Sequence, residues 1–97
     1  MKKNKIEQIF RVVCRYYGIK REELSSASRK AKLVEARAIT IVMMRAVPCS
    51  YPTIGSYLHR DHATIIYNCK TMKWRIANEI EMNTKYRAIR KELQCLN

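Results

Sequence analysis

Glycine, proline and acidic residues are scarce in this sequence. The chain of 97 residues has only 2 Gly and 2 Pro, which leaves little room for the turns of a many-stranded fold. Long stretches of helix-forming residues separate these few turn residues and indicate an all-α protein. Because 47% of the residues are hydrophobic, the chain can form one core, and we expect a single domain over residues 1–97.

Closely spaced cysteines are also absent. The four cysteines stand far apart, at Cys14, Cys49, Cys69 and Cys95. Structural zinc sites usually take their ligands in local pairs, and no cysteine pair accompanies His59 and His62. We therefore expect neither a metal nor a cofactor. Cys14 and Cys69 are predicted to be buried thiols in a reducing cytosol.

Long apolar runs are missing as well, since none approaches the roughly 18 residues of a membrane span. The N-terminus is basic, but Glu7, Gln8 and Arg11 follow it, and this pattern does not fit the core of a signal peptide. The sequence therefore predicts no membrane contact and a cytoplasmic location.

Positive charge is what the chain has in excess. Lys and Arg number 20 against 8 acidic residues, for a formal net charge of +12. Such an excess attracts polyanions, and for DNA it provides non-specific affinity through counterion release. The alternative is a basic soluble protein without a role in nucleic-acid binding.

Hydrophobic periodicity predicts a series of helices. Residues 4–17 read as an amphipathic helix that Gly18 ends, and residues 33–46 as a helix that is apolar on nearly every side. Such a helix is expected to form the buried axis of a bundle, and Pro48 is expected to end it. Between the two, the sequence predicts one short turn over residues 21–24 and a polar, basic loop over residues 25–32.

A longer helix is predicted to begin at Asp61. Its inner stripe comprises Ile65, Cys69, Met72, Ile76 and Ile80. Trp74 lies off that stripe and is expected at the edge of the domain or against a partner. Since Asn83 and Thr84 could interrupt the helix, the last segment is either its extension or a separate helix.

Residues 51–70 read as a short helix that starts near Pro52, a tight turn, and the long helix. Gly55 permits a close approach between the two helices, so the segment is typical of a helix-turn-helix. Asp61, Thr64 and Asn68 fall on one helical face. All three side chains can read base edges, and Asp61 can instead cap the helix by accepting backbone N–H groups.

Two neighbouring features extend this candidate DNA-binding site. His62 could contact a base, and Arg60 could bind a phosphate or guanine. The loop carries Arg29, Lys30 and Lys32, and an arginine there could enter the adjacent minor groove. The alternative is a solvated run of charge. Lys2, Lys3 and Lys5 form a third candidate contact.

Several motifs occur in an order that resembles domain IV of DnaA, the C-terminal DNA-binding domain of the bacterial replication initiator. They are Tyr16-Tyr17-Gly18-Ile19-Lys20, Leu24-Ser25, Ser28-Arg29-Lys30, Val34-Glu35-Ala36-Arg37, Pro52-Thr53-Ile54-Gly55 and Arg60-Asp61-His62-Ala63-Thr64. The resemblance covers about residues 6–73 and leaves residues 74–97 as a C-terminal helical extension. It implies a Trp-repressor-like helical bundle that binds short duplex boxes.

The resemblance also implies roles for individual residues. It places Asp61, His62 and Thr64 on bases in the major groove and Arg29 in the minor groove. It places Arg45, Pro52 and Arg60 near phosphates or groove edges.

The sequence also departs from the family. Ala63 stands where the family usually has threonine, and Leu58-His59 stand where it usually has two glycines, in a turn one residue shorter. These changes could alter the preferred box. No G-x-x-x-x-G-K-[ST] loop is present, so we expect no nucleotide binding in the initiator's manner.

The favoured hypothesis is a stand-alone, nucleoid-associated protein that binds duplex DNA at DnaA-box-like sites and regulates replication initiation or transcription. The alternative is a helical interaction adaptor that docks a partner through Trp74 and the C-terminal helix, with only non-specific DNA affinity. That helix either closes the bundle or forms a homodimer. A small nuclease using His59, Asp61 and His62 is disfavoured, since no paired carboxylates or metal cluster accompany them, and we expect no enzyme.

Overall fold

The computed structural model describes residues 2–96, which form six helices and, in that range, no strand. The helices are α1 (Lys2–Tyr17), α2 (Arg21–Leu24), α3 (Ala31–Ala46), α4 (Tyr51–Leu58), α5 (His62–Asn78) and α6 (Ile80–Gln94). The all-α prediction is confirmed. The predicted helices are found within two residues of their expected starts, and residues 21–24 form the short α2.

Helix α3 is the buried axis of the molecule, as its apolar composition predicted. It packs against α1 and α5 and also contacts α2 and α4. Its buried stretch is unbroken from Ala36 to Met44 and includes two polar residues, Arg37 and Thr40. The Thr40 hydroxyl is satisfied because it donates to the carbonyl of Ala36 at 2.8 Å. The other helices are arranged around this axis and share one hydrophobic core with it.

The hairpin of α4 and α5 has the geometry that the helix-turn-helix pattern predicted. Ser50 caps α4, and its side chain accepts from the backbone N–H of Thr53. Gly55 is required at the turn, because a Cβ there would lie 2.4 Å from the carbonyl oxygen of Arg60. His59 ends α4 in the left-handed conformation, with φ 55°. This turn brings the start of α5 tightly against α4.

The predicted inner stripe of α5 is correct for its first three members, since Ile65, Cys69 and Met72 are buried. It is wrong at Ile80, which is 88% exposed. The reason is the extended backbone of Glu79 (φ −112°, ψ 122°), which ends α5 and resets the helical phase before Ile80. The last segment is therefore a separate helix, and the break lies at Glu79 instead of Asn83-Thr84.

Helix α6 closes the bundle by packing against α1 and α5. Met82 and Ile89 are fully buried, and Tyr86, Leu93 and Leu96 pack against the core with part of their surface. Of the two cysteines expected to be buried, Cys69 is buried, whereas Cys14 is only half-buried. Burial raises the pKa of the Cys14 thiol.

Among the described residues, no helix combines the length and apolar character that crossing a bilayer requires. Nor does that part of the chain gather three His, Cys, Asp or Glu side chains into a group that could hold a metal ion.

Candidate nucleic-acid interface

The leading end of α5 is open to solvent. Asp61, His62, Ala63 and Thr64 are all exposed. The carboxylate of Asp61 caps the helix, because its Oδ1 accepts from the backbone N–H of Thr64 at 2.8 Å. This bond, with smaller contributions from the Thr64 hydroxyl and His62, lowers the pKa of Asp61. Capping is thus confirmed, and the expected base contact of the same exposed carboxylate stays a prediction.

An open cleft of about 490 Å³ separates the basic loop from α5, and we call it the Arg29 cleft. Three segments line it: the loop with Ala27, Ser28 and Arg29, α3 with Val34 and Arg37, and the hairpin with Arg60, Thr64 and Asn68. The structure therefore brings together four residues that the sequence singled out from separate segments. Arg29 and Thr64 are exposed, whereas Arg60 and Asn68 are half-buried.

Arg37 shapes the loop that carries Arg29. Its guanidinium is buried and donates from Nε to the carbonyl of Leu24 at 2.7 Å and from Nη2 to that of Ser28 at 2.8 Å. A longer bond of 3.1 Å reaches the carbonyl of Ser26. Burial, followed by the nearby charge of Arg60, lowers the pKa of Arg37. One buried side chain therefore holds the backbone between residues 24 and 28.

This structural role of Arg37 was not predicted from the sequence. The available signal was an arginine inside the most apolar helix of the chain. A charged residue in such a place is retained only with hydrogen-bonding partners, which identifies it as a structural group. Its partners could not be named from the sequence, because they are backbone carbonyls of an irregular loop.

Arg60 joins the same loop to the turn of the helical hairpin. Its Nη2 donates to the carbonyl of Ser26 at 2.6 Å, and its Nη1 donates to Leu58 and His59 at 3.0 and 3.2 Å. The Ser26 carbonyl thus accepts from both Arg37 and Arg60. The expected contact of Arg60 with phosphate or guanine stays a prediction, and the side chain already has a structural role.

The remaining predicted contacts lie close to the starts of α3 and α4. Lys30 and Lys32 are exposed next to Arg29, at the start of α3. Arg45 and Pro52 lie near the first turn of α4, where Pro52 is exposed. Arg45 donates to the carbonyl of Cys49 at 2.7 Å and covers the ring of Tyr51 at 4.2 Å. It therefore supports the segment that leads into α4.

The third candidate contact is on α1. Lys3 and Lys5 are exposed there, and the side chain of Lys2 lies outside the described part of the chain.

A family model described as the bacterial DnaA protein helix-turn-helix matches residues 6–72, which include the loop, α3, α4 and the Arg29 cleft. The chain belongs to this family. The DnaA-type helix-turn-helix domain is a non-catalytic module that binds duplex DNA at DnaA boxes. The resemblance in the motifs is thereby confirmed.

Relatives from several bacterial groups carry the name chromosomal replication initiator protein DnaA. The protein of Bradyrhizobium sp. (strain ORS 278) is 30% identical over 95 residues, or 96% of this chain and 20% of the relative. That of Bacteroides thetaiotaomicron is 29% identical over 93 residues, covering 94% of this chain and 19% of the relative. A Synechococcus relative reaches 39% identity over 66 residues, 66% of this chain and 14% of its own. Most of this chain is matched in the Bradyrhizobium and Bacteroides proteins, and it spans about a fifth of the length of each.

Proposed function

We propose that this chain recognises a short duplex sequence similar to a DnaA box through two adjacent grooves. The leading end of α5 enters the major groove, and Arg29 enters the neighbouring minor groove. The observation that carries the proposal is their common placement, since exposed Arg29 and exposed Thr64 line the same cleft. A buried leading end, or a loop on another side of the molecule, would have separated these contacts.

The charge around the Arg29 cleft supports a polyanionic partner. Arg29, Lys30 and Lys32 are exposed, and none of the three pairs with a carboxylate in the part of the chain that the structure describes. Unpaired surface cations are free to neutralise phosphates and release counterions. Together with Arg45 and Pro52 near the first turn of α4, they are the candidates for contacts to the DNA backbone.

Sequence reading is assigned to side chains on the first two turns of α5. Asp61 accepts from cytosine N4, while His62, Thr64 and Asn68 contact base edges that they can reach by hydrogen bonding. Ala63 lacks the hydroxyl that the family usually carries at this position. We therefore expect the preferred box to be less restricted, or different, at the base pair beneath Ala63.

One selection of bound duplexes from a random pool tests the proposal directly. A recovered consensus would then be titrated as a labelled duplex beside a scrambled duplex of equal length and composition. We expect the consensus to bind at least about 10³-fold more tightly at physiological salt, the lower range for specific recognition. Equal affinities for the two duplexes would contradict sequence-specific binding.

In the cell, we propose that occupancy of such boxes regulates replication initiation or the transcription of nearby genes, and places the protein on the nucleoid. The named relatives are replication initiators, which supports the first role. Mapping of bound sites on the chromosome tests this proposal. Sites scattered without relation to the selected consensus would contradict it.

A homodimer through α6 stays a prediction. The apolar side chains Met82 and Ile89 are already buried within the same chain, and Ile80 is the large apolar residue of α6 that remains exposed. Sedimentation velocity with and without a duplex tests self-association. A Trp74-dependent complex with a protein partner, together with duplex affinity confined to low salt, would instead favour the interaction adaptor.

A further inference from the structure

Beyond the Arg29 cleft, the outer face of α5 exposes two large aromatic side chains. Tyr67 is 69% exposed and Trp74 is 61% exposed. Their sequence offset is seven positions, close to two helical turns, so they project from one face about 10.5 Å apart along the axis. Lys70 and Lys73 are exposed between them. We call Tyr67, Lys70, Lys73 and Trp74 the aromatic stripe.

The charged residues of the aromatic stripe are all positive. Helix α5 contains no Asp or Glu from His62 to Asn78. Lys70 and Lys73 pair with no carboxylate among the described residues, whereas Arg75, on the next part of the helix, is paired with Glu35 and Glu79. The face therefore combines flat apolar surfaces with unneutralised positive charge, and its complement is an anion that also presents flat apolar surfaces.

We propose that the aromatic stripe binds single-stranded DNA, with bases stacked on Tyr67 and Trp74 and phosphates held by Lys70 and Lys73. Single strands expose both features, since base faces stack on aromatic side chains and the backbone follows positive charge. A duplex hides its base faces inside the helix and offers only phosphates to this surface. An acidic protein surface would satisfy the lysines but provides no repeated planar partner for the two rings.

The spacing and position of the aromatic stripe fit a strand that leaves a bound duplex. A few nucleotides of a single strand can span the distance of about 10.5 Å between the two rings. Tyr67 lies one helical turn beyond Ala63 at the exposed leading end. The choice of DNA over RNA rests on the proposed duplex function of that end. The proposal that single strands stack on this surface does not depend on that function.

Fluorescence anisotropy with a labelled twelve-nucleotide oligo(dT) measures this binding in the intact chain. We expect Trp74→Leu and Tyr67→Leu each to weaken it about tenfold, because leucine keeps apolar surface but loses base stacking. The matched control is Ile80→Ser, which removes an exposed hydrophobic side chain outside the stripe and should leave the affinity unchanged. All three sites are exposed, and thermal unfolding verifies that the variants fold.

A second measurement tests the two lysines. The slope of log affinity against log salt should become less negative by about 1.4 in Lys70→Ala/Lys73→Ala, since each phosphate contact to a single strand contributes about 0.7. The single tryptophan of the chain adds a direct signal, because stacking on Trp74 should quench its fluorescence when oligo(dT) binds.

Several results would overturn the proposal. An oligo(dT) affinity that is unchanged in Trp74→Leu would contradict base stacking on Trp74. Binding of oligo(rU) that is as tight as that of oligo(dT), or tighter, would contradict the preference for DNA. Fluorescence that changes with protein concentration alone would assign the surface to a second copy of the chain. A blunt-duplex titration separates this proposal from the duplex function. If the unchanged chain bound all blunt duplexes equally but still bound oligo(dT) in a Trp74-dependent way, only the duplex function would be refuted.

Discussion

The two ends of α5 differ in how their arginines are paired. The leading end lines the Arg29 cleft, whose arginines Arg29, Arg37 and Arg60 pair with no carboxylate in the described residues. At the last turn, Arg75 is paired with Glu35 and Glu79. The far end belongs to a network in which the Glu35 carboxylate also accepts from Tyr17 at 2.7 Å and from Lys85 at 3.0 Å. We call Tyr17, Glu35, Arg75 and Lys85 the Glu35 network.

The difference between the two ends lies in what satisfies each cation. In the Glu35 network the partners are carboxylates, so charge is neutralised and α1, α3, α5 and α6 are joined. At the Arg29 cleft, Arg37 and Arg60 donate to neutral carbonyls, which satisfy hydrogen bonds but leave the charge in place. The comparison shows how one chain can be internally well bonded and still attract a polyanion at one end.

The largest effect should come from removing the buried cation of the cleft. We expect Arg37→Leu to lower the free energy of unfolding by about 3 kcal/mol, because several loop carbonyls lose a charged donor. Urea denaturation measures the change. Arg45→Leu is the matched control, since its guanidinium donates to one carbonyl and is half-buried. A loss no larger than that of the control would contradict the role assigned to Arg37.

The exposed cation of the cleft should affect binding instead of stability. We expect Arg29→Ala to weaken binding to the selected duplex by about 1–3 kcal/mol, because a minor-groove contact is lost. The free energy of unfolding should stay within about 0.5 kcal/mol. Arg87→Ala removes the same charge from an exposed position on α6 and controls for net charge. Equal losses of duplex affinity in the two variants would mean that only total charge matters.

The Glu35 network should make stability depend on pH. Burial opposes ionisation of Glu35, but the Tyr17, Lys85 and Arg75 partners outweigh it and lower the pKa of the carboxyl below its ordinary 4.5. Its contribution is therefore complete above pH 4.5 and is lost as the pH falls through the folded-state pKa. We expect Glu35→Gln to cost about 1–2 kcal/mol at pH 7.

Unfolding curves of Glu35→Gln and the unchanged chain should converge below pH 4.5. Glu92→Gln is the control, because its ion pair with Arg15 is exposed and should be worth less than about 1 kcal/mol. A Glu35→Gln deficit that persists unchanged in acid would show that the carboxylate charge is not what the network uses.

The smallest effect should come from the turn beside the Arg29 cleft. His59 has φ 55°, a conformation that costs a residue with a Cβ about 1–2 kcal/mol. We expect His59→Gly to raise the free energy of unfolding by about 0.5–1 kcal/mol, since glycine also loses more entropy on folding. Gly18→Ala is the reciprocal control. Because Gly18 has φ 65°, an alanine there should lower the free energy of unfolding by a similar amount. The assignment of strain would be refuted if His59→Gly lowered the free energy of unfolding and Gly18→Ala raised it.

Local patterns account for what could be predicted at the site. The period of apolar residues located the helices, and Asp61 and Ser50 cap them as their side-chain chemistry indicates. The motif that contains Arg60, Asp61, His62 and Thr64 pointed to the duplex-facing end, because these residues are neighbours in sequence. Ile80 was misplaced, since the extended backbone at Glu79 left no signal in the hydrophobic period.

The sequence by itself determined the helices, their caps, the excess of positive charge and the family, because each depends on neighbouring residues or on composition. Only the tertiary structure decided which cations remain without carboxylates. The bonds that decide it join residues far apart in sequence: Arg60 and Ser26 have a separation of 34 positions, and Lys85 and Glu35 one of 50. Such contacts form only when the core brings separate helices together, and no local period records them.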